Sequence, residues 1–308
     1  MISRTSASRR RLLLSTLAMP AAASLLLAPR QATAQARPAK LIITAIPDDG
    51  DAARMRENFG TLARYLGRQV GMPVEYMHVE NYAASVTALA TGRAHIAWLG
   101  AVTTAQAHMK MNDKLTVLGC RDIDKGFVSY YIAHPSTGLK RVANLGELAK
   151  AAQGKGWSFT FGSKSSTSGH LMPRKYFLDD ANTPPEKVFR TVAYSGSHDV
   201  VMRMVADGTH QVGALNYATW DKASDELKAR APIVYTTPKY TNYALTARTD
   251  LGPELLGGLR KALLALDNST EEGRKVLGYL KAGRFIEADL SEWAGYRQLL
   301  ESGVDIGG

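Results

Sequence analysis

The stretch Phe161-Gly162-Ser163-Lys164-Ser165-Ser166-Thr167-Ser168-Gly169-His170 gathers hydroxyls between a strand-like segment, residues 157–161, and a helix-like one, residues 171–178. A helix start leaves its first N–H groups without intrahelical partners and carries the positive end of the macrodipole. Hydroxyls from Ser165, Ser166, Thr167 and Ser168 beside such a start can complete a cage around an oxyanion. A single Ser or Thr there reads more simply as a helix cap in a solvated loop. Four in a row, closed by Gly169, favour the anion. Nucleotide chemistry does not fit: six residues separate Gly162 from Gly169 and His170 follows, whereas a phosphate-binding loop has four and then Lys-Ser/Thr. No G-x-S-x-G nucleophile elbow occurs either. A small anion with no base attached is the simpler occupant.

Catalysis and metal binding have less support. A Ser-His-Asp set would need the serine run, His198 and an acid other than the adjacent Asp199, which cannot readily orient its own neighbour's ring. The seven histidines show no H-E-x-x-H pair, and Cys120 is the one cysteine, so neither a catalytic nor a structural zinc site is expected. The residues read as a binding protein without a cofactor, and not as an enzyme. Cys120 itself has two readings, a buried small hydrophobe or, beside Arg121, a thiol acting as a soft ligand.

These residues need a frame to bring them together. Strand-like and helix-like segments alternate over residues 41–46, 52–69, 74–79, 82–91 and 95–99, and again over 157–161, 168–180, 188–193, 198–207 and 212–215. In the first helix Met55, Phe59, Leu62 and Leu66 fall on one face, as a helix covering a sheet requires. Two βαβαβ units predict an α/β fold of two lobes, each a sheet flanked by helices, with ligand in the cleft between them. Lobe 1 is expected over residues 37–134 plus 241–308 and lobe 2 over 135–240, with the first crossover at 135–138. Two crossovers make a hinged clamp.

Residues 1–36 read as an export signal of twin-arginine type: Arg9-Arg10-Arg11, an apolar Ala- and Leu-rich run, and Ala34-Gln35-Ala36 as the cleavage site. Pro20 and interspersed Ser and Thr weaken the rival reading of an uncleaved anchor. The formal charge of +10 falls to +5 without this segment, which carries five arginines and no acids. The remaining surplus suits an anionic ligand but lacks the clustered Lys/Arg of a nucleic-acid binder. A periplasmic protein without stable membrane insertion, and a monomer, is expected.

Six short segments in order, Ala45-Ile46-Pro47-Asp48, Asn81-Tyr82-Ala83-Ala84, Ala97-Trp98-Leu99-Gly100, Ser165-Ser166-Thr167-Ser168-Gly169, Tyr194-Ser195-Gly196-Ser197-His198-Asp199 and Gly213-Ala214-Leu215-Asn216, resemble the phosphate/phosphite/phosphonate-binding periplasmic proteins of ABC transporters. The resemblance spans the chain after the signal. It implies a type II periplasmic binding protein that hands a small oxyanion to a permease, with Ser166, Thr167 and Ser168 cradling the anion, Tyr82 reaching it from lobe 1 and His198 donating from lobe 2. Leu99 stands where aminoalkylphosphonate binders of this family have a tyrosine, and Trp220 and Tyr243 stand near where their acids receive the amine. That disfavours an ammonium-bearing ligand and leaves phosphate, phosphite, methylphosphonate or an oxyanion such as selenate. Periplasmic arsenite-sensing proteins are similar to this family, which implies an alternative: Cys120 as arsenite ligand in a sensor that signals to a histidine kinase.

Overall fold

The computed structural model describes residues 38–302; the expected export signal lies outside them. The chain begins with β1 (Leu41–Ala45), α1 (Ala52–Val70), β2 (Val74–Met77), α2 (Tyr82–Ala90), β3 (Ile96–Leu99), α3 (Ala101–Lys110) and β4 (Leu115–Arg121). Helix α1 shows why the pattern folds. Asp51 caps it by accepting from the Arg54 N–H, and Gly71 ends it at φ 67° in the left-handed region, where glycine avoids the Cβ penalty. The Met55, Phe59, Leu62, Leu66 stripe is buried against the sheet, each side chain contributing about 1.5–3 kcal/mol.

The middle of the chain supplies β5 (Ser129–Ala133), α4 (Leu145–Ala152), β6 (Ser158–Phe161), α5 (Met172–Ala181), β7 (Thr191–Tyr194), α6 (His198–Ala206), β8 (Val212–Asn216), α7 (Tyr217–Asp221), α8 (Asp225–Arg230) and β9 (Ile233–Thr236). The chain then returns through β10 (Ala244–Arg248), α9 (Pro253–Leu264), α10 (Glu271–Leu280), β11 (Phe285–Ile286) and α11 (Ala294–Glu301). One sheet runs β11-β4-β10-β3-β1-β2 and the other β7-β6-β8-β5-β9. In each, parallel pairs at one side (β1 with β2 and β3; β6 with β7 and β8) meet antiparallel strands at the other.

The first crossover lies earlier in the chain than residues 135–138. β5, expected in lobe 1, pairs with β8 and β9 in the second sheet. Its alternation explains this, because Tyr131 and Ile132 enter the hydrophobic clusters on opposite faces of that sheet, as successive strand residues must. The crossing segment is therefore residues 122–128, and the return is 237–243.

The two crossovers run side by side. Phe127 and Tyr240 exchange backbone hydrogen bonds of 2.9 Å in both directions, and Asn242 N–H donates to the Asp124 carbonyl at 3.0 Å. A buried ion pair braces the first crossover, with Arg121 Nε and Nη2 donating to Asp124 at 2.8 and 2.6 Å, and Asp124 Oδ1 also accepts from the Tyr243 N–H of the return crossover at 3.3 Å. The guanidinium lies over the rings of Tyr243, Trp98 and Phe127, 4.7–5.7 Å from their centroids. A planar fork that is both paired and stacked tolerates such burial better than an ammonium would.

Candidate functional site

The strand ends face one another across a cleft where four helical segments begin. Their first residues are Tyr82 in α2, Ala101 in α3, Thr167 in the turn preceding α5, and His198 in α6. The Ser/Thr run does not enter α5 directly. Residues Thr167–Leu171 form a π-helical turn, with Leu171 N–H donating to the Ser166 carbonyl at 3.0 Å. Such wide turns recur at functional sites. Ser166 Oγ accepts from Gly169 N–H at 3.0 Å. Ser165, Ser166, Thr167 and Ser168 are all buried, which a solvated capping loop would not be.

Lobe 2 meets lobe 1 at this turn. Thr167 Oγ1 accepts from the Val102 N–H at 2.9 Å, filling one free donor at the start of α3; the α3 cap, Gly100, offers no side chain of its own. Ser129 Oγ donates to the Ser168 carbonyl at 2.7 Å. At the cleft mouth Gly50 N–H donates to Asp199 Oδ1 at 3.0 Å and Lys222 approaches Asp49 at 3.6 Å. Asp199 also accepts from Ser197 Oγ at 2.7 Å and pairs with Arg203, so it links the lobes and orients the α6 start.

His198 is fully buried, and burial pushes its pKa down to about 4, so the ring is neutral at ordinary pH. The Asn216 N–H donates to Nδ1 at 3.2 Å, which fixes the ring proton on Nε2, 3.5 Å from Ser168 Oγ. A neutral donor is thereby aimed at the serine turn. Gly169 makes room for it, since a Cβ there would stand 2.8 Å from His198 Cε1. From lobe 1, Tyr82 is buried, with its hydroxyl turned toward Ser166 but without a hydrogen-bond partner among the described residues.

Beside this turn a cavity of about 50 Å³ is lined by Asp48, Trp98, Arg121, Phe127, Asn216 and Tyr243, among others. Trp98 and Tyr243 stack there at 5.3 Å between centroids, so Trp98 is both core and cavity wall. Burial pushes the Asp48 carboxyl up to about 6 against the opposing effect of the Tyr243 hydroxyl and Lys222. An acid thus faces this cavity, where the sequence offered only Trp220 and Tyr243. Trp220 is elsewhere, with its Nε1–H donating to the Ala231 carbonyl at 2.8 Å.

The structure gathers Tyr82, Ser166, Thr167, Ser168 and His198, with buried Ser165 adjoining, and separates Cys120 from them. Cys120 lies in β4 opposite Ile286 and is fully buried in the lobe 1 core. Its neighbour Arg121 faces the cavity, so strand alternation turns the thiol to the other face. Burial pushes that thiol up to about 12, and a thiol that does not ionise is neither nucleophile nor soft ligand. Cys120 is the buried hydrophobe, and the arsenite-sensor alternative has no support. Buried Asn242, whose side-chain oxygen lies beside Gly100 near Thr167, is a residue that the sequence did not single out; a lone Asn between Thr241 and Tyr243 carries no motif.

Fold and site define a two-lobed binding protein of the periplasmic type, built to enclose a small ligand. The profile of the family described as the phosphonate ABC transporter periplasmic substrate-binding protein matches residues 43–293, and the chain belongs to that family. It is 30% identical over 270 residues to a probable ABC transporter phosphite-binding protein, PhnD1, of Prochlorococcus marinus, covering 85% of this chain and 89% of that one. The structure of PhnD1 in complex with methylphosphonate matches with a TM-score of 0.80 over 86% of this chain and 98% of the other. A phosphate-import protein of Mycolicibacterium smegmatis is 25% identical over 250 residues, 78% of this chain and 75% of that protein. A binding component of a phosphonate transporter from Pseudomonas aeruginosa, 21% identical, shares the fold with a TM-score of 0.72 over 85% of each chain.

Proposed function

We propose that the protein captures a small tetrahedral oxyanion of the phosphate, phosphite and methylphosphonate class in this cleft and delivers it, as a monomer exported by residues 1–36, to an ABC permease, without chemical change to the ligand. The observation that carries the reading is that the Ser166-Thr167-Ser168 turn is met by the Nε2–H of His198 and by the hydroxyl of Tyr82, which has no hydrogen-bond partner among the described residues. All are neutral donors set at helix starts, the arrangement that holds an anion without a countercharge. The names of the relatives support the same ligand class. Among the described residues, His198 is not arranged as the base of a catalytic triad, because its Nδ1 accepts from a backbone N–H rather than facing a carboxylate.

A thermal-shift panel of phosphate, phosphite, methylphosphonate, selenate and arsenite on the purified protein tests this. Ligand at about 100 times its dissociation constant adds about 2.7 kcal/mol of stability. Stabilisation by one or more of the phosphorus oxyanions is expected and none by arsenite; a panel without any shift overturns the reading. Replacing Thr167 and Ser168 by Ala should weaken binding about tenfold or more in calorimetry, since each lost hydrogen bond to a charged group is worth about 1.5–3 kcal/mol.

A further inference from the structure

Asn242 lies on the return crossover with its backbone fully engaged: its N–H donates to the Asp124 carbonyl at 3.0 Å and its own carbonyl accepts from Trp293 Nε1–H at 2.6 Å. Its side chain differs. The residue is 1% exposed, yet neither Nδ2 nor Oδ1 has a hydrogen-bond partner among the described residues. A buried unpaired amide costs about 1–3 kcal/mol per group, so a native chain keeps one where something else completes it. Its position says where that would be. A Cβ built on Gly100, the cap of α3, would lie 3.3 Å from Asn242 Oδ1 and 3.2 Å from Thr167 Oγ1. The carboxamide therefore adjoins both the serine turn and the start of α3.

We propose that Asn242 is a ligand-contact residue that reads the proton on the oxyanion: its Nδ2–H donates to one ligand oxygen and its Oδ1 accepts from a ligand hydroxyl. This rests on the oxyanion reading above and narrows it. Tyr82, His198 and the serine turn can serve the unprotonated oxygens as donors. Whichever way the amide is turned, it presents one donor and one acceptor. A tetrahedral ion without a proton, such as sulfate, satisfies only the donor and leaves Oδ1 against like charge. A hydrogen phosphite or hydrogen methylphosphonate monoanion satisfies both. The ligand class is the singly protonated phosphorus oxyanion.

Titratable and charged groups around Asn242 are Asp124 on the first crossover, Arg121 at the end of β4, which pairs with Asp124, Tyr243 beside it and Tyr296, whose hydroxyl donates to the Thr241 carbonyl; Asp48, Tyr82 and His198 are the others at the site. The test must separate their protons from the ligand's. Calorimetry of the wild-type protein with phosphite and with methylphosphonate, from mildly acidic to mildly alkaline pH, does so, because phosphite loses its second proton at lower pH. Affinity is expected to fall as each ligand becomes a dianion, with the fall setting in earlier for phosphite. A fall at one common pH for both ligands, or none, overturns the proposal. Asn242→Ala should lose about tenfold in methylphosphonate affinity and narrow its preference over sulfate, while the melting temperature of the unliganded protein is unchanged or raised. Unchanged affinity and selectivity overturn the role of Asn242 alone; wild-type protein that binds neither phosphorus ligand overturns the oxyanion reading and this proposal with it.

Discussion

His198 carries a pH signature of its own. Its folded pKa, about 4, lies below the ordinary 6.5, so between those values the unfolded chain binds the extra proton. Stability contributed by the neutral ring is present above about 6.5 and is lost as pH falls toward 4, about 3 kcal/mol at the limit. Asp48, raised to about 6, acts with the opposite sign, because its protonation on acidification relieves a buried charge. The difference between His198→Gln and wild type isolates the first effect. The variant's melting temperature should improve relative to wild type as pH is lowered through that window, and a constant difference would show that the ring is not buried neutral. Cys120→Ser should cost about 1–3 kcal/mol, since it puts a hydroxyl into an apolar core, without altering ligand affinity; native protein should also resist alkylation. The hydroxyl run was legible because residue type at a strand-to-helix junction limits the chemistry, whereas the place of His198 beside it came only from the resemblance of Tyr194–Asp199 to the family. Asn242 was not legible, since nothing in its neighbours says that its side chain is left unpaired, and Cys120 had two readings until burial removed one.

The elements that hold the site were legible where periodicity is strong and illegible where it is not. Helix α1 has a clean apolar stripe, whereas α3, with Val102, Thr103 and Thr104 in its first turn, has β-branched residues of low helix propensity and went unread, although its start lies against Thr167. The π-helical turn was also hidden, since the serine run predicts a helix start but not its width. That turn depends on close approach. Gly169→Ala would push a methyl into His198 and Ser166 Oγ, which lie 2.8 and 3.0 Å from the new Cβ; ligand binding measured by calorimetry should fall more than for either hydroxyl deletion. The contact between Gly50 and Asp199 joins the lobes at the cleft mouth. Asp199→Ala removes it together with the Ser197 and Arg203 pairings. Losing about 1 kcal/mol from the closed state should reduce ligand affinity about fivefold, and an unchanged dissociation constant would remove Asp199 from the closing contacts.

On the scale of the whole molecule, two parallel-to-antiparallel sheets are joined by crossovers that share backbone hydrogen bonds and the contact of Asp124 with the Tyr243 N–H. The two-lobed α/β pattern was readable from the repeated alternation of segments. The first crossover was misread because β5 looks like a continuation of β4 until its two faces are matched to the second sheet's two cores. Contacts available only in the closed state shift the population toward it, so small-angle scattering should show compaction when saturating methylphosphonate is added. The most direct measurement of the central claim is a crystal structure of the protein with methylphosphonate. The account predicts the phosphonate oxygens within hydrogen-bond reach of Ser166, Thr167, Ser168, His198 Nε2 and the Tyr82 hydroxyl, with Asn242 completing the shell. A phosphonate bound away from this turn, or a cleft that stays empty at saturating ligand, would contradict it.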